Sequence, residues 1–169
     1  MAIRNPHELK ATLASGHRLV GLDLGERTIG VAISDPGLTV ASPVGTVRRT
    51  KFTEDVKQLV RMLTGREVGG VVIGLPINMD GTQGPRCQSV RHFGENLLGR
   101  ADLWGSEPEI AFWDERLSTV AVQRVLVTEA DMTRAKRAQA VDKMAAAYIL
   151  QGALDALARQ SEKNSVTDR

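Results

Sequence analysis

Three acidic residues, Asp23, Glu115 and Asp142, stand where hydrophobic elements should exclude charge. Asp23 interrupts the run Leu19-Val20-Gly21-Leu22-Asp23-Leu24, Glu115 follows Ile110-Ala111-Phe112-Trp113-Asp114, and Asp142 sits within Ala140-Val141-Asp142-Lys143-Met144-Ala145-Ala146. An ionised carboxylate is costly to bury unless a cation or a hydrogen-bond network neutralises it. Like charges brought together repel, so carboxylates that converge need a cation among them. With oxygen ligands only, magnesium or manganese suits such a site better than zinc. Carboxylates that hold divalent ions are what phosphodiester hydrolysis requires, with one ion activating the attacking water and another stabilising the leaving oxygen.

The elements that must position these residues can be read from the hydrophobic pattern. Arg18 to Leu24 is a near-continuous apolar strand, Ile29, Val31 and Ile33 alternate with small residues in a second, and Val40 to Val47 makes a third. Phe52, Val56, Leu59, Val60 and Leu63 recur at helical spacing behind a cap at Thr53 and end near Gly65. Val68 to Gly74 is a buried strand, the loop Leu75 to Gly81 follows, and Pro85 opens a helix that stops near Gly99. Glu109 to Asp114 is the next strand. A helix capped by Ser118 or Thr119 runs to about Val127, and after a basic polar stretch a long helix spans Lys136 to Ala158. Three opening strands followed by alternating helices and strands indicate an α/β domain with a mixed sheet. Asp23 and Glu115 both fall at the carboxyl ends of strands, where open α/β sheets bind their ligands.

On the long helix Ala138, Ala145, Ala146, Ile149, Ala153 and Ala156 lie within roughly 60° of Asp142, whereas Lys143, Gln151 and Asp155 point elsewhere. That places Asp142 on the face that packs on the sheet. The alternative is a local cap, or a salt bridge to Lys136 or Arg137 near the favourable N-terminal dipole. Strand alternation sets Asp114 and Glu115 on opposite faces, so only one of them shares a site with Asp23 unless the strand has already turned. Asp35 and Asp80, beside Pro36 and Gly81, read as turn residues.

Composition bounds the rest. A length of 169 residues with 42% hydrophobic content fits one domain with a sizeable core, and 25% charged residues indicate neither disorder nor a membrane protein. No apolar run approaches the roughly 20 residues that span a bilayer, which points to the cytoplasm. The single cysteine, Cys87, excludes an internal disulfide and a cysteine zinc cluster, and His7, His17 and His92 show no ligand spacing. Net charge is only +2, so distribution matters more than the sum. Basic residues cluster at Arg48-Arg49-Thr50-Lys51 and at Arg134-Ala135-Lys136-Arg137, with Arg86, Arg91, Arg116 and Arg124 standing singly. Each cluster reads either as solvated surface or as a set of phosphate contacts. Aromatics at 4% leave little for base stacking, so phosphate and shape contacts would dominate nucleic acid binding.

Gly21-Leu22-Asp23-Leu24-Gly25 with Gly30-Val31-Ala32-Ile33-Ser34-Asp35, Gly74-Leu75-Pro76-Ile77-Asn78-Met79-Asp80-Gly81, Asp114-Glu115-Arg116-Leu117-Ser118-Thr119 and Val141-Asp142-Lys143 resemble, in order and spacing, the successive signatures of the YqgF/RuvX family. The resemblance covers roughly Arg18 to Leu157. It implies a ribonuclease-H-like fold with a mixed five-stranded sheet flanked by helices over residues 18–158, leaving residues 1–17 as an N-terminal extension and 159–169 as a disordered tail. It also implies a metal-dependent nuclease using Mg2+ or Mn2+ on structured nucleic acid, either in 5′-end processing of precursor 16S rRNA or in resolution of Holliday junctions in branched DNA. Such a protein acts as a monomer or a homodimer without a membrane partner. Carried over position by position, the family's catalytic and metal-binding triad falls on Asp23, Glu115 and Asp142, with Glu115 rather than Asp114 chosen by the resemblance.

Substrate contacts are expected from the loop beginning at Gly74 and including Asn78, and from Arg86 in the first turn of the following helix, whose unpaired amides can hold a phosphate. Arg134, Lys136 and Arg137 are expected to contact phosphates, and Arg116 either steadies the scissile phosphate or pairs with an acidic neighbour. Two other classes are weighed against this. Asp23-Leu24-Gly25 followed by Thr28 resembles the first phosphate loop of actin-like ATPases, but those need two copies of the fold and a second glycine-rich loop. A non-catalytic RNA-binding factor would need the basic clusters and not the triad.

Overall fold

The computed structural model describes residues 2–118 and 134–167. All five predicted strands are present in one mixed sheet, and a sixth joins them at its edge. In chain order the elements are β1 (Ala2–Arg4), α1 (Pro6–Thr12), β2 (Arg18–Leu24), β3 (Thr28–Ser34), β4 (Ala41–Arg48), α2 (Phe52–Leu63), β5 (Val68–Leu75), α3 (Pro85–Leu98), α4 (Ala101–Trp104) and β6 (Glu109–Asp114), a 3-10 turn (Glu115–Leu117), and α5 (Arg134–Thr167). The strand order is β1-β6-β5-β2-β3-β4. β2, β3 and β4 form an antiparallel meander, while β5 runs parallel to β2, β6 to β5 and β1 to β6.

β2 is central and buried on both faces, which is why its run Leu19 to Leu24 shows no polar alternation apart from Asp23. Val20, Leu22 and Leu24 face α2 and α3, where Val56, Leu59, Leu63, Val90, Phe93 and Leu97 complete a core. Leu19 faces the other way with Ala32, Val72, Ala111 and Trp113, against Ala145, Ala146, Ile149, Leu150, Ala153 and Leu154 of α5. There the helix backbone descends onto the strand. A Cβ on Gly21 would lie 2.7 Å from Leu150 Cβ and 2.9 Å from the Ala146 carbonyl, so only glycine fits.

Several boundaries differ from the sequence reading. Residues 1–17, read as an extension, contribute β1 and α1: Ala2 pairs with Glu109 in register, and Leu9 of α1 is fully buried in the α5-side core. A three-residue strand carries no hydrophobic period, but the helix start is signalled by a capping box in which Asn5 accepts from the Glu8 amide at 3.0 Å. α5 starts at Arg134 and continues to Thr167, through most of the tail read as disordered. Part of the reason lies in Ser161, whose hydroxyl accepts from Lys10 Nζ at 3.0 Å and ties this end of α5 to α1. The junction before α2 is held by Asp55 rather than a Thr53 cap; its buried carboxylate accepts from the Thr50 amide at 2.8 Å and the Thr50 hydroxyl at 3.3 Å. The helix expected from Ser118 or Thr119 to Val127 lies outside the described residues, apart from Ser118. Among the described residues no helix is long and apolar enough to cross a membrane.

Candidate active site

Asp23 lies in the last turn of pleat in β2, opposite Gly30 of β3, and is only 1% exposed. By alternation it shares the α5-side face with Leu19 and Gly21. One residue beyond the paired positions Leu22 and Ile73 stand Asp23 on β2 and Gly74 on β5, side by side in parallel strands. Gly74 in turn pairs with Trp113 of β6, whose side chain belongs to the α5-side core. Two residues past Trp113, Glu115 returns to that side: a Cβ on Gly74 would sit 2.9 Å from Glu115 Oε1 and would clash with Ile149 Cδ1. Glycine at position 74 thus leaves the space into which Glu115 reaches. Asp23 and Glu115 flank one glycine at the carboxyl edge of the sheet, under the same helix.

Asp114 takes the opposite course. It follows Phe112, whose ring meets Gly94 of α3, and so lies on the other face. Its carboxylate caps the 3-10 turn by accepting from the Arg116 amide at 2.9 Å, and it pairs with the Arg116 guanidinium at 2.7 Å from Nη2. Hydrogen bonds from the Arg116 side chain hold the Asp114 carboxyl below the usual carboxylate range. Asp114 is thus bound into the turn, while Glu115 faces the helix.

Arg116 also donates Nη1 to the Asn78 carbonyl at 3.4 Å, which ties the turn to the loop after β5. The pairing with an acidic neighbour expected for Arg116 is formed, with Asp114. Asn78 closes its loop through its amide on the Thr82 carbonyl at 3.0 Å and Nδ2 on the Thr82 hydroxyl at 3.0 Å. Asp80 accepts from the Thr82 amide and hydroxyl, which keep its pKa low, and Asp35 is held at about 2 by the amides of Val40 and Thr39 and the Thr39 hydroxyl. Both are turn residues. Cys87 is buried against α2 and the sheet, where burial pushes its thiol up.

Arg86 is exposed in the first turn of α3. Arg134, Lys136 and Arg137 begin α5 rather than a loop preceding it, and Asp142 lies two helical turns before Ile149; the side chains of these four lie outside the described residues. Among the described residues no three His, Cys, Asp or Glu side chains form a metal-binding group. The described part of the site holds two of the three carboxylates. Both are oxygen donors on one side of the sheet with a glycine cradle between them, a donor set that suits a hard divalent cation.

An antiparallel meander continued by parallel strands, with helices on both faces and acidic residues at the carboxyl edge, defines a ribonuclease-H-like α/β protein. The fold superposes on the yeast mitochondrial Holliday junction resolvase with a TM-score of 0.50, covering 91% of this chain and 84% of that one at 12% identity. The chain belongs to the RuvX family, described as Holliday junction resolvase, which matches residues 17–156. A relative from Rhodospirillum centenum is 67% identical over 93% of this chain and 83% of its own length. One from Phenylobacterium zucineum is 60% identical over 93% of this chain and 98% of its own. Both carry the name "Putative pre-16S rRNA nuclease".

Proposed function

We propose that this protein is a metal-dependent nuclease of the cytoplasm that hydrolyses phosphodiester bonds in structured nucleic acid, acting on the 5′ end of precursor 16S rRNA in ribosome biogenesis. The observation that carries this reading is the buried Asp23 carboxylate beside Gly74, with Glu115 Oε1 reaching over the same glycine. Asp23 and Glu115, with Asp142 from α5, would hold Mg2+ or Mn2+. When bound, such ions activate water and stabilise the charge that develops on the leaving oxygen. The protein's own part is to hold its acceptors rigid: the Asp114–Arg116 pair fixes the turn from which Glu115 projects, and the packing of α5 on Gly21 fixes the strand that carries Asp23. Asn78 and Arg86 would border the strand path on one side, and Arg134, Lys136 and Arg137 on the other, while Gly74, read from the sequence as the start of a substrate-contacting loop, lies buried within β5 beneath Ile149. The names of the two relatives support ribosomal RNA as substrate.

A second reading, resolution of Holliday junctions, is favoured by the family's description and by the fold match to a resolvase. It requires a homodimer that presents two active sites to opposing strands. The deciding experiment is cleavage of a precursor 16S rRNA and a four-way DNA junction side by side, in magnesium and in manganese. Cleavage confined to the 5′ precursor segment supports the first reading, and symmetric nicking of the junction alone supports the second. Binding without cleavage of either in both metals would leave a non-catalytic RNA-binding factor.

A further inference from the structure

The basic cluster Arg48-Arg49-Thr50-Lys51 has no part in the carboxylate site. In the fold Arg49 lines a cleft of about 420 Å³ between the β2–β3 turn at Gly25 and Glu26, the β4–α2 junction, and the first turns of α3 at Arg86 and Ser89. Leu24, which follows Asp23 in β2, is also part of its wall and faces away from α5. The cleft and the carboxylates therefore open at the same edge of the sheet, one chain residue apart, on its two faces.

Arg49 is built into this wall. Its amide donates to the Arg27 carbonyl at 2.8 Å, and its Nη1 donates to the Gly25 carbonyl at 2.6 Å. The next residue, Thr50, is anchored by amide and hydroxyl on Asp55, which is 2% exposed, so a buried carboxylate stiffens the segment that presents the arginine. A guanidinium has five N–H donors, and the bond to Gly25 uses one. Among the described residues neither Arg49 nor Arg86 makes an ion pair, and Glu26, the carboxylate on this lining, pairs with neither. A half-buried, rigidly held cation with donors to spare, facing a second arginine and the Ser89 hydroxyl across a cleft, is a receptor for an anion.

We infer that this cleft is a second phosphate subsite, in which Arg49 and Arg86 hold a phosphate of the substrate strand other than the scissile one. The inference takes its ligand, a nucleic acid strand, from the nuclease reading, but it does not depend on the carboxylates. A strand lying across the carboxyl edge of the sheet would then be gripped on both faces, with the bond to be cut at Asp23 and Glu115 and a neighbouring phosphate clamped at Arg49.

The test is a binding scan in EDTA, where cleavage is absent. A short fluorescent 2′-O-methyl RNA is prepared with each internal linkage in turn replaced by an uncharged methylphosphonate, and with either a 5′-hydroxyl or a 5′-phosphate; affinity is read by anisotropy. The wild-type protein should lose about tenfold at one linkage, the scale of a charge-assisted contact. Arg86→Met, whose side chain makes no hydrogen bond among the described residues, should lose a similar factor and become indifferent to that linkage. It should also lower the salt slope by about 0.7, the single-strand value for one phosphate. Arg49→Lys, which keeps the charge and loses the fork, should fall between the two. If the sensitivity moves from an internal linkage to the 5′-phosphate, the subsite takes a terminal phosphate. If the scan is flat in both arms, or Arg86→Met leaves the scan and the slope unchanged, the subsite does not exist; the wild-type scan decides this even should a variant fold poorly. Asp23→Asn should retain the whole pattern while losing cleavage; a wild-type protein that shows the scan but cleaves nothing in magnesium or manganese would overturn the nuclease reading and leave the subsite standing.

Discussion

The two faces of the sheet are built from different materials. On the α2 and α3 side, Leu59, Leu63, Phe93 and Leu97 fill the space against Val20, Leu22 and Ile73, and the rings of Phe52 and Phe93 meet edge to face at 5.3 Å. On the α5 side Ala32, Ala111, Ala145, Ala146 and Ala153 recur, with Gly21 and Gly74 directly beneath the helix. Bulky residues give area removed from water, whereas small ones give proximity of backbone to backbone. The face that gives up area is the one that carries Asp23 and Glu115. Stability and the candidate chemistry are thus assigned to opposite sides of the same strands, and that separation can be tested.

The largest effect should come from Asp23→Asn, which keeps side-chain volume and removes the charge of a proposed metal ligand. Cleavage should fall by about a thousandfold, the scale seen when a preorganised electrostatic group is lost, with the circular dichroism spectrum unchanged; wild-type turnover by the folded variant in metal would break the comparison outright. Leu59→Ala, on the bulky face, should cost about 2–5 kcal/mol in urea unfolding and leave the turnover of folded molecules as it was. Gly74→Ala should show the reverse balance. The new Cβ meets Glu115 Oε1 and Ile149, so stability should fall by only about 1–3 kcal/mol while cleavage drops by a larger factor than in Leu59→Ala. If both substitutions move stability and turnover together, the two faces are not functionally distinct.

The smallest effect concerns the turn that feeds β4. The Asp35 carboxyl is held at about 2, below its ordinary 3.8, by amides of Val40 and Thr39. Because its folded pKa is depressed, the stabilisation is present above the ordinary value and disappears as pH falls through about 2. Asp35→Asn should therefore lose roughly 1 kcal/mol near neutral pH, the net worth of a hydrogen bond to a half-exposed group, and almost nothing near pH 2, with cleavage at neutral pH intact.

Much of this arrangement was legible because burial leaves a period. Asp23 stood out against the apolar run of β2, and five strands followed from their patterns. Glu115 needed the resemblance, since alternation alone does not say which of two neighbouring acids faces inward. The distinction rests on Trp113 facing α5 and on Arg116 closing a 3-10 turn over Asp114. β1 was not legible because three residues carry no period, and α4 spans only four residues. The cleft at Arg49 was hidden for a different reason: its walls come from residues 24–26, 49–50, 86, 89 and 90, which only the folded topology brings together.

The position of α5 in the chain has a consequence in time. Among the described residues every strand of the sheet ends by Asp114, whereas α5, the main cover for the Asp23 face, begins at Arg134. During synthesis β2, β3 and β4 can pair as local hairpins and α2 and α3 can pack on their own side, but the other face, apart from the part under α1, stays uncovered until Ala145 and the residues after it have emerged. Contacts between α5 and β2 span more than a hundred residues, and closing such long loops is slow. The structural half of the molecule can thus mature first, and the carboxylate pocket closes as a late folding event, so that a chain interrupted before α5 would retain much of a core and have no pocket.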